Sequence, residues 1–198
     1  MTSTEQPRTL RERKKIRTRD ALAQTAVALF GERGFEDTPL DVLLAEVEVS
    51  RRTFFRNFRS KEDVALTAVH ELWSAALIVL DETGRSGPVA TIFRDAMLET
   101  IGRMDPEWFG RFAATLALIE RSPSLTAHSL RHCAEVQTEV ARRLGDPDGL
   151  ELRLLLEFCV ATWRCALDEW LPTPAAEELP GCVRRTFATM ESSLRLEI

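Results

Sequence analysis

Residues 50–61 read SRRTFFRNFRSK and hold five cations, Arg51, Arg52, Arg56, Arg59 and Lys61, with no anion among them. A guanidinium carries paired N–H donors that match the O6 and N7 acceptors of guanine, and a threonine hydroxyl such as that of Thr53 can add a contact to a base edge. The other cations suit phosphate oxygens. A second basic run lies at 8–19, where Arg8, Arg11, Arg13, Lys14, Lys15, Arg17 and Arg19 face a single anion, Glu12. Either run taken alone could be a solvated basic surface. Their setting argues for more, because residues 1–66 carry a charge of +2 and the remainder -7, giving -5 overall. An acidic protein with one basic end is suited to touching a polyanion through that end.

Other chemistries find little material. The chain has three histidines and lacks G-x-S-x-G, H-E-x-x-H and P-loop patterns, so an enzyme is not expected. His128 and His132 stand at i, i+4 beside Cys133, a spacing that can put two imidazoles on one helix face, but no third ligand lies nearby in sequence; neither metal nor cofactor is expected. Cys133, Cys159, Cys165 and Cys182 form no CxxC pair and read as reduced thiols. With 198 residues, 44% hydrophobic and 29% charged, the chain can bury a core, which excludes wholesale disorder. No apolar run approaches the ~20 residues of a membrane span, and the charged first residues lack the apolar segment of a secretory signal. The expected location is the cytoplasm, with no membrane partner.

The elements that must position the basic run read as all-α. Apolar residues recur at helical spacing, and no alternating strand pattern occurs. A first helix from about Arg11 carries the stripe Ile16, Ala23, Ala26, Val27 and Phe30 and stops at Gly34. Thr38 offers an N-cap oxygen with Pro39 at the first helical position of a short helix that turns Leu40, Leu43, Leu44 and Val47 inward and ends near Glu48. Ser50 caps a very short third helix over 51–55. Ser60 and Asp63 form a capping box for a long fourth helix reaching about Leu80. The turn-rich segment DETGRSGP over 81–88 closes it, and five further helices follow at 89–104, 106–121, 124–144, 150–171 and 176–196, about nine in all. Two short helices flanking a tight turn have the layout of a helix-turn-helix, whose second helix enters the DNA major groove. Phe54, Phe55 and Phe58 can lock that unit against the first helix, and the fourth helix presents its N-terminus as an anion site.

The stretch ALFGERGFEDTPLDVLLAEVEVSRRTFFRNFRSKEDV resembles the DNA-binding domain of the tetracycline-repressor (TetR) family of transcriptional regulators. The likeness runs over about 17–66. It rests on the LF-x-x-x-GF element at 29–35, Thr38, Val49 and Ser50, the pair Phe54 and Phe55, Phe58, and SKE at 60–62. It implies a DNA-binding domain with a basic N-terminal arm at 1–66 and a helical effector-binding and dimerisation domain at 67–198. Arg51, Arg52 and Thr53 would face bases, and Thr38, Phe55, Asn57 and Lys61 would lie along the DNA backbone; Arg17, Ser50 and Arg56 complete the expected DNA-binding set. Three departures stand out. The family's usual turn, Ala-Gly-Val-Ser, here has Val47 and Glu48 in its first two places, so a bulky acidic residue sits where glycine eases the chain. Phe55 replaces a tyrosine and has no hydroxyl for phosphate. Asn57 stands where His or Tyr is common.

Beyond residue 66 the reading comes from pattern. In the helix over 150–171 the charges Arg153, Glu157, Arg164 and Asp168 fall on one narrow side and nearly all else is apolar, so the helix must be buried on more than one side, against its own core and against a second copy. A deep core helix in a single chain is the alternative. Phe158, with Phe187, Met190 and Leu194 of the last helix, is the expected dimer surface. Trp73, Leu77, Phe93, Met97, Trp108, Phe112, Thr115, His128 and Trp163 are the expected lining of an apolar effector pocket. The functional expectation is a homodimeric repressor that binds a palindromic DNA operator and is released by a small apolar or amphipathic effector. Control by a protein partner without a small ligand is the alternative, and a helical enzyme a more distant one.

Overall fold

Thr9 opens the first helix with a reciprocal cap: its hydroxyl accepts the Glu12 N–H at 3.3 Å while the Glu12 carboxylate accepts the Thr9 N–H at 2.7 Å. The computed structural model describes residues 9–83, 86–145, 148–193 and 195–197, and among these it contains helices and connections with no strand. In chain order the helices are α1 (Leu10–Arg33), α2 (Leu40–Glu46), α3 (Arg51–Phe55), α4 (Lys61–Ala65), α5 (Thr67–Glu82), α6 (Val89–Arg103), α7 (Pro106–Arg121), α8 (Pro123–Leu144), α9 (Leu150–Trp170) and α10 (Leu179–Ser193). No helix among the described residues is long and apolar enough to cross a membrane.

The caps explain most boundaries. Gly34 ends α1 at φ 87°, a conformation glycine adopts without strain, and its N–H returns to the Phe30 carbonyl at 3.0 Å. Ser50 accepts the Thr53 N–H to start α3, Asp105 accepts the Trp108 N–H to start α7, and Ser122 accepts the Leu125 N–H to start α8. Thr38 differs from expectation. It caps nothing: α2 begins after Pro39, and the Thr38 hydroxyl donates to the Gly34 carbonyl at 2.7 Å, closing the loop behind α1. The box at α4 is also displaced, for Ser60 accepts the Asp63 N–H but the Asp63 carboxylate accepts from Arg59, one residue before the cap.

The expected long fourth helix is two helices, which raises the count to ten among the described residues. The break falls at Leu66 (φ -93°, ψ 16°). Two hydroxyls take backbone acceptors there: Thr67 donates to Val64 three residues back at 2.7 Å, tightening the turn, and Thr115 of α7 reaches the Ala65 carbonyl at 3.5 Å. The Trp108 indole donates to the Ala68 carbonyl at 3.1 Å, just beyond the joint. Neither α7 residue is near the joint in sequence, so periodicity alone misses it. At the other end α10 starts only at Leu179, because the Trp170 indole holds the Ala175 carbonyl at 2.7 Å in a turn.

Side chains segregate into two cores. The head, α1–α4, buries Leu22, Leu29, Phe30, Leu43, Phe54 and Phe58. The body, α5–α10, buries an aromatic series in which Trp108 stacks on Phe112 at 4.4 Å and Phe112 on Trp170 at 6.1 Å. The seam is not clean. Leu118 from the end of α7 and Leu125 from the start of α8, 3% and 0% exposed, belong to the head's core, and Ile119 between them packs against both cores. The elbow between α7 and α8 is thus a wedge of the body set into the head, and Ser122 at its tip donates to the Glu36 carboxylate at 2.5 Å.

Candidate nucleic-acid interface and effector cavity

The turn before α3 carries a cost visible in the backbone. Glu48 has φ 53°, the left-handed region that a residue with a Cβ disfavours by about 1–2 kcal/mol. Its neighbours hold it there: the Val49 N–H reaches the Leu44 carbonyl at 3.0 Å and the Glu48 N–H reaches Ala45 at 3.2 Å. The turn lets α3 leave α2 with Phe54 buried and its N-terminal side chains outward.

Those side chains are not equivalent. Arg51 grips Asp41 of α2 through two bonds, Nε to Oδ1 at 2.8 Å and Nη2 to Oδ2 at 2.6 Å, and this pairing holds the Asp41 carboxyl below the usual carboxylate range and raises the Arg51 guanidinium further. Arg52 is exposed and has no side-chain partner among the described residues. The Thr53 and Ser50 hydroxyls share a hydrogen bond at 3.0 Å. Asn57 donates its amide to the Thr53 carbonyl at 2.7 Å, leaving a buried Oδ1 without a partner. Phe55 lies exposed, edge-on to Phe54 at 5.2 Å.

Two expected backbone contacts lie elsewhere. Thr38 is 1% exposed with its hydroxyl committed to Gly34. The Lys61 ammonium turns inward, donating to the Phe35 carbonyl and lying over the Phe35 ring at 4.1 Å and the Phe30 ring at 5.3 Å; burial depresses its pKa. The expected set therefore has Arg17, Ser50, Arg51, Arg52, Phe55 and Arg56 exposed, Thr53, Asn57 and Lys61 half-buried, and Thr38 buried. The two basic runs do meet. Arg11, Lys14 and Lys15 of α1 share with Thr53, Arg56 and Asn57 the walls of an open hollow of about 770 Å³. Arg19 braces this corner by donating to the Asn57 carbonyl at 2.8 Å with its guanidinium 4.5 Å over the Phe58 ring.

In the body, α5, α7, α8 and α9 surround an open cavity of about 490 Å³. Its apolar wall includes Leu72, Trp73, Phe112, Leu116, Trp163 and Leu167, and Glu120, Arg164 and Asp168 supply charge. Three of the nine expected lining residues, Trp73, Phe112 and Trp163, are here. Leu77, Phe93 and Met97 line instead, with another side of Trp73, an apolar gap of about 20 Å³ that is too small for a ligand. Trp108 and Thr115 are buried at the α4–α5 joint. Sequence reasoning missed Leu72, Cys133, Cys165, Arg164 and Asp168. The last two were visible as the narrow charged side of α9, but that side faces the cavity.

His128 lies apart from the cavity, with the other two histidines. His70 Nδ1 is 3.2 Å from Asp63 Oδ1, and its ring meets His132 edge-on at 4.4 Å. Burial, then the proximity of His70, depresses the His132 pKa to about 4, and burial and Arg131 lower that of His128. Among the described residues no group of three or more His, Cys, Asp or Glu side chains is disposed to hold a metal ion.

The expected dimer residues divide. Phe158 continues an exposed apolar stripe on α9 with Leu150 and Leu154 (44%, 66% and 50% exposed). Phe187 stacks on Phe93 at 6.0 Å, and Met190 packs on the body's core. Leu194 lies outside the described residues.

Comparison with known proteins bears on both parts. A family model described as bacterial regulatory proteins, tetR family, matches residues 22–68, and one described as MftR C-terminal domain matches 87–195. The chain is 34% identical over 172 residues to the HTH-type transcriptional regulator TcmR of Streptomyces glaucescens, covering 81% of this chain and 76% of that protein. It is 31% identical over 84 residues to the uncharacterized HTH-type transcriptional regulator YezE of Bacillus subtilis (strain 168), covering 41% and 43%. A crystal structure of a transcriptional regulator from Rhodococcus sp. Rha1 shares the fold with a TM-score of 0.52 at 19% identity, over 88% of this chain and 96% of that one. With both parts matched, the chain belongs to the tetR family of bacterial regulatory proteins and is a DNA-binding transcriptional regulator rather than an enzyme.

Proposed function

We propose that the protein is a homodimeric repressor acting in the cytoplasm, which reads a palindromic operator with α3 and releases it when a small apolar or amphipathic molecule enters the cavity among α5, α7, α8 and α9. In this reading residues 1–66 bind DNA, with the basic start of α1 as an arm, and 67–198 bind the effector and the second copy. The exposed stripe Leu150, Leu154 and Phe158 is the surface that a second copy covers, and two-fold pairing spaces the two α3 helices by one or more DNA turns of about 34 Å.

The observation that carries the reading is the elbow shared by cavity and head. Leu116, Ile119, Glu120 and Thr126 wall the cavity, while Leu118 and Leu125, interleaved with them, sit in the head's core. A ligand that moves the first set must move the second. The joint at Leu66 is a second link between the two parts, since the Leu66 N–H still reaches Glu62 and the His70 N–H reaches Leu66, both at 3.0 Å. The ligand must favour the arrangement that fits DNA badly, and a coupling of about 1–3 kcal/mol weakens the operator about 5- to 150-fold.

Intrinsic fluorescence tests it. The chain has no tyrosine, and Trp73, Trp108, Trp163 and Trp170 all lie outside the head, two of them on the cavity wall. Amphipathic aromatic compounds, beginning with anilinonaphthalene sulfonate, are screened for quenching, and those that bind are added to a labelled operator complex. Quenching and operator release should cover the same concentration range. Compounds that saturate the quenching and leave operator affinity unchanged defeat the reading.

A further inference from the structure

We propose that Asp41 is a positioning residue for operator reading: it holds Arg51 by one edge of the guanidinium and presents the other edge to a guanine in the major groove. The inference rests on the DNA-reading role proposed for α3. Asp41 lies in the first turn of α2 and Arg51 is the first residue of α3, so the pair spans the turn of the helix-turn-helix. The carboxylate takes one N–H from Nε and one from Nη2, at 2.8 and 2.6 Å. A guanidinium has five N–H groups, and the three left over include one on each terminal nitrogen, lying parallel along the far edge. That pair fits guanine O6 and N7.

The alternative of a simple brace fits the setting poorly. Arg51 and Asp41 are 63% and 64% exposed, where an ion pair adds little to stability, and α2 and α3 are already joined by the buried Leu43, Leu44 and Phe54. The carboxylate is also out of place on a face meant for a polyanion, because it repels phosphate. Its compensation is order: a long side chain fixed before DNA arrives loses less freedom on binding. Arg52, next in the chain, has no such anchor among the described residues.

The test is selection from a randomised duplex pool with the full-length protein, comparing wild type, Arg51→Ala, Asp41→Asn and Asp41→Glu. Wild type should select guanine at one position in each half-site, and Arg51→Ala should lose the preference there. Asp41→Asn should weaken it at the same position and no other, lowering operator affinity by about three- to tenfold while affinity for a scrambled duplex holds or rises. Asp41→Glu should restore part of the preference. An unchanged melting temperature in Asp41→Asn separates positioning from folding. The proposal is overturned if Asp41→Asn selects the same sequence with the same guanine frequency. It is equally overturned if Asp41→Asn binds the operator more tightly, the mark of a carboxylate that withholds Arg51 from DNA. A wild type that selects no sequence removes the DNA-reading role itself, an outcome distinct from either.

Discussion

The head and the body solve opposite packing problems with the same kind of element. The head closes the long α1 and three short helices around Phe30, Phe54 and Phe58 and keeps its chemistry on the outside. The body packs six helices of 15 to 22 residues around stacked aromatics and leaves a cavity whose chemistry faces inward. One part has a filled core with a charged rim, and the other a partly empty core with charges at the opening. In the proposed reading, a filled core holds α3 to one geometry, as reading base edges requires, whereas open space in the body lets a ligand favour an alternative arrangement. The α7–α8 elbow belongs to both.

Breaking that sharing should have the largest effect. Leu125→Ala removes a fully buried side chain from the head's core although residue 125 lies in α8; the expected loss is about 2–5 kcal/mol of stability, with weaker operator binding, measured by thermal melting and DNA titration. Leu130→Ala, five residues along the same helix at the exposed side of the cavity, should leave the melting temperature nearly unchanged. If both variants melt alike, the wedge is not structural.

Next in size is the DNA face. Arg52→Ala should cost about 1–3 kcal/mol on the selected operator and relax preference at one position per half-site, with no change in melting temperature. A uniform loss over all duplexes would make Arg52 a phosphate contact.

A smaller effect should appear in pH. His132 has a pKa of about 4 in the folded protein against an ordinary value near 6.5, so between these values the unfolded chain binds more protons. Stability is fully present above about pH 6.5 and falls as pH drops toward 4. With partial exposure the loss is about 1–2 kcal/mol. Denaturant titrations at pH 7.5 and 4.5 should show it, and His132→Leu should shrink it; an equal pH dependence in the variant would assign the loss to other groups.

The smallest expected change is a gain. Glu48→Gly relieves the left-handed backbone at φ 53° but adds freedom to the unfolded chain, for a net stabilisation of about 0.5–1 kcal/mol and a rise of about 2 °C in melting temperature. A fall would mean that the Glu48 side chain contributes more than its strain.

The same contrast explains how much could be read from the chain. In the head, caps, turns and basic residues lie close in sequence, so Ser50, Gly34 and the α2–α3 turn were legible from local chemistry, and the strain at Glu48 from a missing glycine. The polar atoms of Thr38 and Lys61 find carbonyls inside the head, at Gly34 and Phe35, which no spacing rule reveals. In the body, helical periodicity showed which side chains are buried, and the boundaries of α6, α7 and α8 fell within one residue of those expected. It could not separate a side chain that lines a cavity from one that fills a core: Trp73 and Trp163 line the space, while Trp108 seals the joint above it. That distinction depends on how four helices meet. The elbow's membership in the head's core was illegible for the same reason, since Leu118 and Leu125 look like any other apolar positions of α7 and α8.

The most direct test of a coupled head and body is amide hydrogen exchange with and without a saturating compound that occupies the cavity and releases the operator. The account predicts altered exchange at the elbow, residues 116–126, and beyond it in the buried turns of α1 and in α4, two helices with no residue on the cavity wall. Changes confined to the cavity walls in α5 and α9, with the elbow and the head unaltered, would contradict it.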